Sequence, residues 1–457
     1  MVAGDAVEIR RDPRTRERYA RDRSPFRLLP EAVALPGSAV EVAACLESGL
    51  PVTARAGGSS VAGQCLGAGL VLDTSGLGGV EVDGEGSCWA GAGVVLDDLN
   101  AVLAGSGRML GPDTTSSRWA RVGGLIGTNA CGSRSLAFGR VADALLAAEV
   151  VRADGSLQVL ERGGPGWPEL DRVRDGLGDE VDRVWPRQPR GFGGYALGDF
   201  ARRGDPLSLV PGSEGTLCIV TRARLATVAL PESRHVSRAS FATLRQALDA
   251  APACAATGAS AVEVLDSHLT GGDPVLLVEH LDRAPRLPAP FELLSAADAE
   301  SAWSTRRDAL ARLQAGGMTA VALFEDPAVA PERAGEFAHA LLALLAGLGL
   351  DAVVYGHAAA GCLHVRPLVD PAAPGIEALL LRALDDVADL VASFGGAITG
   401  EHGWGLARSH LVERALGAAL YDRCRAVKRA WDPEDVLNPG RVVGASGASP
   451  VESLRLS

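Results

Sequence analysis

A glycine-dense segment, from Gly111 to Gly139, constrains the fold of this 457-residue chain more than any other feature. Glycine inside a helix or strand is destabilising by roughly 0.5–1 kcal/mol relative to alanine, so no single regular element spans this segment. Its small and hydroxyl side chains allow a flat ring to lie against the backbone. We therefore expect the segment to wrap around a bound molecule.

The length of the chain indicates two domains. Helices at 39–46 and 96–103 and strands at 51–54, 70–73 and 215–221 predict mixed structure in the first half, and the Gly-, Pro- and Arg-rich segment 163–206 suggests a loop-heavy insertion. From 232 to 430 the pattern predicts an α+β or α/β sheet layer with helices packed on it. There we expect helices at 244–251, 297–314, 331–348, 375–394 and 418–430, and strands at 261–265, 275–279, 319–324 and 352–355.

The charge and the cysteine pattern exclude several functions. A net charge of -12 disfavours nucleic acids and anionic membranes as partners. No apolar stretch approaches the ~20 residues of a membrane span, and the N-terminus is charged, so we expect a cytoplasmic protein without a membrane span. The eight cysteines are scattered, which indicates neither an iron-sulfur cluster nor a disulfide framework.

Two further motifs share the character of the glycine-dense segment. RAGGSSVAGQ at 55–64 follows a predicted strand, and PGSEGTL at 211–217 precedes one. Gly57 and Gly58 let backbone N–H groups converge on phosphate oxygens, while Ser59 and Ser60 add hydroxyl donors. The first motif alone is more typical of a plain tight turn, and it is not the GxGxxG of a Rossmann fold; the other is equally weak evidence on its own.

Taken together and in this order, the three motifs resemble the PCMH-type FAD-binding domain shared by glycolate oxidase, D-lactate dehydrogenase and D-2-hydroxyglutarate dehydrogenase subunits. The likeness extends over about residues 19–443. It implies an α+β fold: a PCMH-type FAD-binding domain of two α+β subdomains at 1–230, then an α/β substrate (cap) domain, a sheet covered by helices, at 231–430. Residues 431–457 would return to the flavin domain and end in a tail.

The resemblance also implies which residues hold FAD. Ser59 stands where some relatives carry a flavin-linking histidine, so FAD is expected to be bound noncovalently. The expected cofactor-binding residues are Arg55, Gly57, Gly58, Ser59, Ser60, Gly63, Gln64, Pro112, Asp113, Thr114, Gly123, Gly124, Gly127, Thr128, Asn129, Gly132, Gly139, Glu214, Gly215, Ile219 and Asn438.

The second half carries YGHAAAGCLHVRP at 355–367 and GEHGWG at 400–405. A turn between strand-like residues would bring His357 and His364 together, and with Glu401 they suit Zn²⁺ or another divalent ion such as Mn²⁺ or Fe²⁺. A structural histidine pair is the alternative. The motifs resemble the family's GHxxDGNLH and GEHGxG, which implies that these three residues bind metal and that His402 is the catalytic base.

This sequence departs from the family pattern at three positions. Ala360 and Cys362 replace Asp and Asn, which predicts weaker metal binding because a supporting contact is lost. Trp404 replaces a smaller residue, and we expect it to narrow the substrate pocket.

A carboxylate substrate needs a cation. Arg306 in Trp303-Ser-Thr-Arg306 matches the family's WxxR, whose arginine forks onto the substrate carboxylate. A solvated charge on a helix face is the alternative, and Arg366 and Arg408 are secondary candidates.

The implied function is FAD-dependent oxidation of a small 2-hydroxy acid to the 2-oxo acid by hydride transfer to flavin N5, on a D-lactate, glycolate or D-2-hydroxyglutarate type of substrate. A noncatalytic FAD-carrying subunit and an oxidase that uses O₂ are the alternatives. The electrons would pass to a separate acceptor, which is a quinone, an electron-transfer flavoprotein or an iron-sulfur protein. A homodimer is one assembly that the sequence leaves open.

Overall fold

The computed structural model describes residues 7–84, 86–184, 190–191, 194–287, 290–308, 318–444 and 453–456. Its first sheet has four strands, three of which run parallel. The helix Ala39–Leu46, at its predicted bounds, supplies a crossover that parallel strands require. Ser38 caps this helix by accepting a hydrogen bond from the backbone N–H of Glu41. In sheet order the strands are Ile9–Arg10, Ala32–Ala34, Leu70–Asp73 and Val52–Arg55.

The second sheet has five antiparallel strands, with Ile219–Ala226 at its centre. This strand begins four residues later than the sequence predicted. Glu214 and Gly215 have φ values of 55° and 69°, which place them in a turn rather than in an extended chain. In sheet order the strands are Val80–Val82, Ser87–Gly91, Ile219–Ala226, Leu145–Val151 and Leu157–Glu161, and a separate two-stranded ladder pairs Arg108–Met109 with Val228–Ala229.

Three short helices occupy the described part of segment 163–206, so the prediction of a loop-heavy insertion is wrong. Leu170, Val173 and Leu177 are buried and anchor these helices, although glycine, proline and arginine dominate the surrounding sequence. Two of the helices pack on the C-terminal helix Val412–Trp431. The three helices are Pro168–Arg174, Leu177–Val184 and Leu197–Arg203.

A seven-stranded sheet forms the centre of the second half, and all of its pairings are antiparallel. The sequence pattern left α+β and α/β open, and the antiparallel pairing makes this domain α+β rather than the α/β cap domain that the resemblance implied. Strands Arg234–Ser240 and Glu292–Leu293 were not predicted, whereas Ala261–Leu265 has its predicted bounds. Cys362–Val369 was expected only as strand-like residues after the turn at 358–362, without bounds. In sheet order the strands are Glu292–Leu293, Arg234–Ser240, Val275–Leu281, Ala261–Leu265, Asp351–His357, Cys362–Val369 and Thr319–Ala320.

Helices cover this sheet near the predicted positions. Helix Ala296–Arg307 starts one residue early, and the rest of the predicted 297–314 lies mostly outside the described residues. The predicted helix 418–430 is the second part of Val412–Trp431, which is kinked at Gly417 (φ 75°, ψ 159°). The larger helices here are Leu244–Ala255, Ala296–Arg307, Ala334–Gly347, Ile376–Ser393 and Val412–Trp431, and across the described chain no helix is long and apolar enough to cross a membrane.

The remaining helices are short, and most of them lie in the first half of the chain. After the last long helix the chain returns to the first sheet, where Leu437 forms a bridge with Val52. The remaining α-helices are Pro13–Arg18, Leu96–Ala104, Val122–Gly127, Ser135–Phe138, Val141–Ala144, Ser267–Thr270 and Gly405–Arg408.

Candidate active site

A cavity of about 820 Å³ lies between the glycine-rich segments and the seven-stranded sheet. Its size falls within the range of about 300–1,000 Å³ usual for small-molecule and cofactor sites. The predicted metal residues and the predicted catalytic residues line the same cavity as the glycine-rich segments. The predicted cofactor residues that line it are Gly57, Gly58, Ser59, Ser60, Gln64, Thr114, Gly123, Gly124, Gly127, Thr128, Gly132, Glu214, Gly215 and Ile219.

The cavity wall depends on glycine at particular positions. A Cβ atom at Gly57 would lie 1.9 Å from the carbonyl oxygen of Trp119, and one at Gly132 would lie 1.6 Å from that of Asp113. Both contacts are impossible, so the two wall segments can interlock only without side chains there. At Gly127, by contrast, a Cβ would meet nothing within 4 Å. A flat cofactor can therefore approach the backbone at that point.

Seven predicted cofactor residues lie behind the wall rather than on it. Asn438 is buried, accepts a hydrogen bond from the Thr53 hydroxyl at 3.1 Å, and donates to the backbone oxygens of Gln64 and Glu214 at 2.9 and 2.7 Å. It therefore ties the C-terminal return to two wall segments, and it does not line the cavity. The others in this position are Arg55, Gly63, Pro112, Asp113, Asn129 and Gly139.

Glu214 connects the wall to the GEHGWG motif. Its carboxylate accepts hydrogen bonds from the backbone N–H groups of Trp404 and Gly405 at 2.5 and 2.8 Å. Burial raises the pKa of Glu214 to about 7, although these hydrogen bonds oppose the rise. The Trp404 side chain is fully buried in the core and does not line the cavity, so the expectation that it narrows the pocket is wrong.

The hairpin predicted around residues 358–362 brings the two histidines of the first motif together. Strands Asp351–His357 and Cys362–Val369 pair antiparallel across a 3₁₀ turn that ends at Gly361 (φ 65°). The Nε2 atoms of His357 and His364 lie 3.2 and 3.4 Å from Oε1 of Glu401. These three side chains form a buried or nearly buried group of the right types and spacing to hold a metal ion.

His402 points its Nε2 atom at the same carboxylate oxygen, 3.4 Å from Oε1 of Glu401. Its Nδ1 atom lies 2.8 Å from Oε2 of Glu325. Burial alone would lower the pKa of His402, but the carboxylates of Asp326 and Glu325 outweigh it and raise the pKa to about 9. A divalent cation beside the ring would lower this pKa again, because a like charge disfavours the imidazolium.

Two buried glutamates orient the imidazoles, and the sequence analysis missed both. Glu263 accepts from Nδ1 of His357 at 2.5 Å and from Nε of Arg306 at 2.6 Å. Burial would raise the pKa of Glu263, but His357 and Arg306 lower it to about 2. Glu325 also contacts Nδ1 of His364, at 3.6 Å. Glu263 thus occupies Nδ1 of His357, and Glu325 lies beside Nδ1 of His364 and His402, so the Nε2 atoms of the three rings face Glu401, where a metal would bind.

Two arginines complete the cavity around Tyr355. Arg306 and Arg366 lie 4.9 and 5.9 Å from the centre of its ring, and both line the cavity. Arg306 is buried, which excludes the interpretation as a solvated charge on a helix face. Arg408 is also buried, but it pairs with Asp326 at 3.0 Å and does not line the cavity. It is therefore a structural residue.

The sequence carried a signal for only some of the missed residues. Glu263 is the one charged residue in the apolar strand Ala261–Leu265, a pattern that indicates a buried and paired carboxylate. Cys131, whose Sγ lies 3.2 Å from Oε2 of Glu401, stands within the glycine-dense segment. Arg190, which pairs with the same Oε2 at 2.7 Å, has no signal in its arginine-rich surroundings.

Comparison with known proteins agrees with this arrangement. A family model for the FAD binding domain matches residues 30–161, and one for the C-terminal domain of FAD linked oxidases matches residues 290–442. The chain therefore contains an FAD-binding domain followed by the C-terminal domain of FAD linked oxidases. The solved structure of an alkyldihydroxyacetonephosphate synthase has the same fold, with a TM-score of 0.64 at 16% identity over 94% of this chain and 82% of that one.

Several curated relatives match over most of this chain. It is 29% identical to the D-2-hydroxyglutarate dehydrogenase of Escherichia coli (strain K12), over 93% of this chain and 49% of that protein. It is 28% identical to the D-lactate dehydrogenase of Archaeoglobus fulgidus, over 93% of this chain and 95% of that protein. The chain spans about half the length of the D-2-hydroxyglutarate dehydrogenases that it matches.

Proposed function

We propose that this protein is an FAD-dependent dehydrogenase that oxidises a small 2-hydroxy acid to the 2-oxo acid. One observation carries the proposal: the Nε2 atoms of three histidines lie within 3.4 Å of one oxygen of Glu401, in the cavity that the glycine-rich segments line. The candidate metal ligands, the candidate base and the glycine-rich segments that would bind the flavin thus line the same cavity. The relatives named D-lactate and D-2-hydroxyglutarate dehydrogenase support the substrate class.

The glycine-rich wall would hold FAD. The backbone around Gly57 and Gly58, the open space at Gly127 and the segment at Gly215 suit a flat cofactor with a phosphate-bearing tail. When bound, the flavin supplies the acceptor for a hydride from the substrate carbon. No histidine stands at Ser59, which supports noncovalent binding.

His357, His364 and Glu401 would hold one divalent ion, with Zn²⁺ the first candidate and Mn²⁺ or Fe²⁺ the others. Two imidazoles and one carboxylate, with room for substrate in the cavity, are typical of a catalytic site with open positions. Such an ion supplies Lewis acidity at the hydroxyl oxygen of the substrate.

The remaining roles fall to side chains around Tyr355. Only the Nε atom of Arg306 has a hydrogen bond with a described residue, which leaves its terminal nitrogens free to fork onto a substrate carboxylate. His402 would take the hydroxyl proton at Nε2, while Glu325 stabilises the resulting imidazolium at Nδ1. Arg306 and His402 would thus bind the carboxylate and the hydroxyl group of a short 2-hydroxy acid, respectively.

A separate protein or quinone would take the electrons. All eight cysteines are free and buried, and within the part of the chain that the structure describes none belongs to a group suited to a metal or cluster. The acceptors that we propose are a quinone, an electron-transfer flavoprotein or an iron-sulfur protein.

Anaerobic bleaching of the flavin tests the proposal. The purified yellow protein is mixed with D- and L-lactate, glycolate, and D- and L-2-hydroxyglutarate, and absorbance is followed. We expect at least one acid to bleach the flavin and to yield its 2-oxo acid. If dithionite bleaches the flavin and no acid does, the proposal fails, and a noncatalytic FAD-carrying subunit becomes the better account.

A further inference from the structure

Arg190 reaches the candidate metal site from the first half of the chain. It precedes helix Leu197–Arg203, and only 2% of its surface is exposed. Its Nη1 donates to Oε2 of Glu401 at 2.7 Å, and its Nη2 and Nε donate to the Ser135 hydroxyl at 2.6 and 3.1 Å. Nη2 also donates to the backbone oxygen of Gly132. Every nitrogen of the guanidinium therefore has a partner.

The two oxygens of Glu401 consequently have different surroundings. Oε1 faces the three imidazoles, whereas Oε2 contacts Arg190 and Cys131. Because Arg190 is itself fixed by Gly132 and Ser135, it determines which carboxylate oxygen is left for the histidines. Glu401 would then bind a metal through one oxygen only.

Arg190 also places a permanent positive charge on this ligand. A guanidinium stays protonated in proteins, and at low exposure its field is little screened. At an effective dielectric constant of about 20, a unit positive charge several ångströms from a divalent ion weakens the binding of that ion by a factor on the order of 10³ or more. Loss of an outer contact to a metal ligand costs only about 10–100-fold. The charge therefore outweighs the orienting contact.

We propose that Arg190 is a positioning residue that holds Glu401 by one oxygen and, through its charge, weakens the binding of a divalent metal at His357, His364 and Glu401. The inference rests on the metal site of the proposed function. In the metal-free site Arg190 neutralises Glu401, which keeps the ligand set assembled. A bound ion is then exchangeable.

The test measures metal affinity and thermal stability on the FAD-loaded protein, not turnover. Zn²⁺ dissociation constants are determined by competition with a chromophoric chelator for the wild type, Arg190→Gln and Arg190→Lys. We expect Arg190→Gln to bind Zn²⁺ at least tenfold more tightly. We expect its metal-free Tm to fall and its rise in Tm on adding Zn²⁺ to exceed that of the wild type. Arg190→Lys keeps the charge and should stay within about threefold of the wild-type affinity.

Arg423→Gln is the matched control. Arg423 pairs with Glu180 at 2.9 Å, which ties helix Leu177–Val184 to the C-terminal helix, and it does not line the cavity. It should leave Zn²⁺ affinity unchanged.

The outcomes separate the inference from the metal site itself. If the wild type binds Zn²⁺ and Arg190→Gln binds it equally or more weakly, the inference is overturned and the metal site stands. If neither protein binds Zn²⁺, both are overturned. Should Arg190→Gln fail to fold, Arg190→Lys decides: a tenfold change in its affinity overturns the role assigned to the charge.

Discussion

Replacing Glu263 with glutamine should weaken both the fold and the metal site. Glu263 is fully buried and its two oxygens hold His357 and Arg306 at 2.5 and 2.6 Å. These partners lower its pKa from 4.5 to about 2, and at about 1.4 kcal/mol per pKa unit the ionised form contributes about 3 kcal/mol at neutral pH. This matches the roughly 3–5 kcal/mol usually lost when one partner of a buried ion pair is removed.

The functional effect follows from the same two contacts. Glutamine keeps only one acceptor oxygen and no charge, so either Nδ1 of His357 or Nε of Arg306 faces an NH₂ group instead of an acceptor, and both lose the negative charge that holds them. We expect Zn²⁺ affinity to fall about 10–100-fold and the apparent substrate constant to rise, while FAD is retained. Urea unfolding, chelator competition and rapid-mixing flavin reduction measure the three effects on one preparation.

Glu279→Gln is the matched control for this experiment. Glu279 is equally buried on the neighbouring strand and pairs with Arg134 at 2.6 Å, but it contacts no histidine of the site. It should cost similar stability and leave Zn²⁺ affinity unchanged. If Glu263→Gln binds Zn²⁺ as tightly as the wild type, Glu263 does not orient His357 and the reasoning is refuted.

Four further predictions concern single residues. His402→Ala should keep FAD and slow flavin reduction by about 10²–10⁴, and a wild-type rate in rapid mixing would remove His402 as the base. Arg306→Ala should mainly raise the apparent substrate constant, with Arg306→Lys rescuing only part of the loss, as the dependence of flavin reduction on substrate concentration will reveal. Because Ser59 replaces a linking histidine, acid precipitation should release all flavin into the supernatant, and yellow colour in the pellet would contradict this. The raised pKa of Glu214 favours its protonated form in the folded state, so wild-type stability should fall as pH rises from about 4.5 to 7, whereas urea unfolding of Glu214→Gln should show a smaller fall.

The sequence predicted those parts of the site that are local in the chain. His357 and His364 are seven residues apart across one turn, and apolar residues on both sides make the hairpin readable. The glycine-rich segments were also predicted, because a backbone that approaches a cofactor or another chain segment closely has no room for a Cβ atom and requires glycine. The family resemblance assigned these residues to a flavin and a metal.

The partners of these residues could not be predicted in the same way. Glu325 follows an apolar stretch like many surface carboxylates, and its burial depends on a bridge to Val365 in strand Cys362–Val369, which is distant in the sequence. The helices of segment 163–206 were missed because their few buried leucines and valines are diluted by glycine and arginine. Trp404 was assigned to the pocket from its neighbours in the motif, but the turn at Gly403 and Gly405 directs its side chain into the core.

The three ion pairs around the histidines, none of which the sequence predicted, follow one electrostatic principle. Each glutamate of the cluster has its own buried arginine: Glu263 pairs with Arg306, Glu325 with Arg366, and Glu401 with Arg190. A buried carboxylate without a partner is costly, so these pairs allow three acids to surround the histidines at one largely buried site. In the metal-free cluster, the negative charges of the three carboxylates are therefore balanced by the positive charges of the three guanidiniums. A divalent ion would add positive charge that no residue of the cluster is left to balance, and the negative charge of a bound hydroxy acid can balance it. At the proposed metal site, this arrangement would favour metal and substrate together over either one alone.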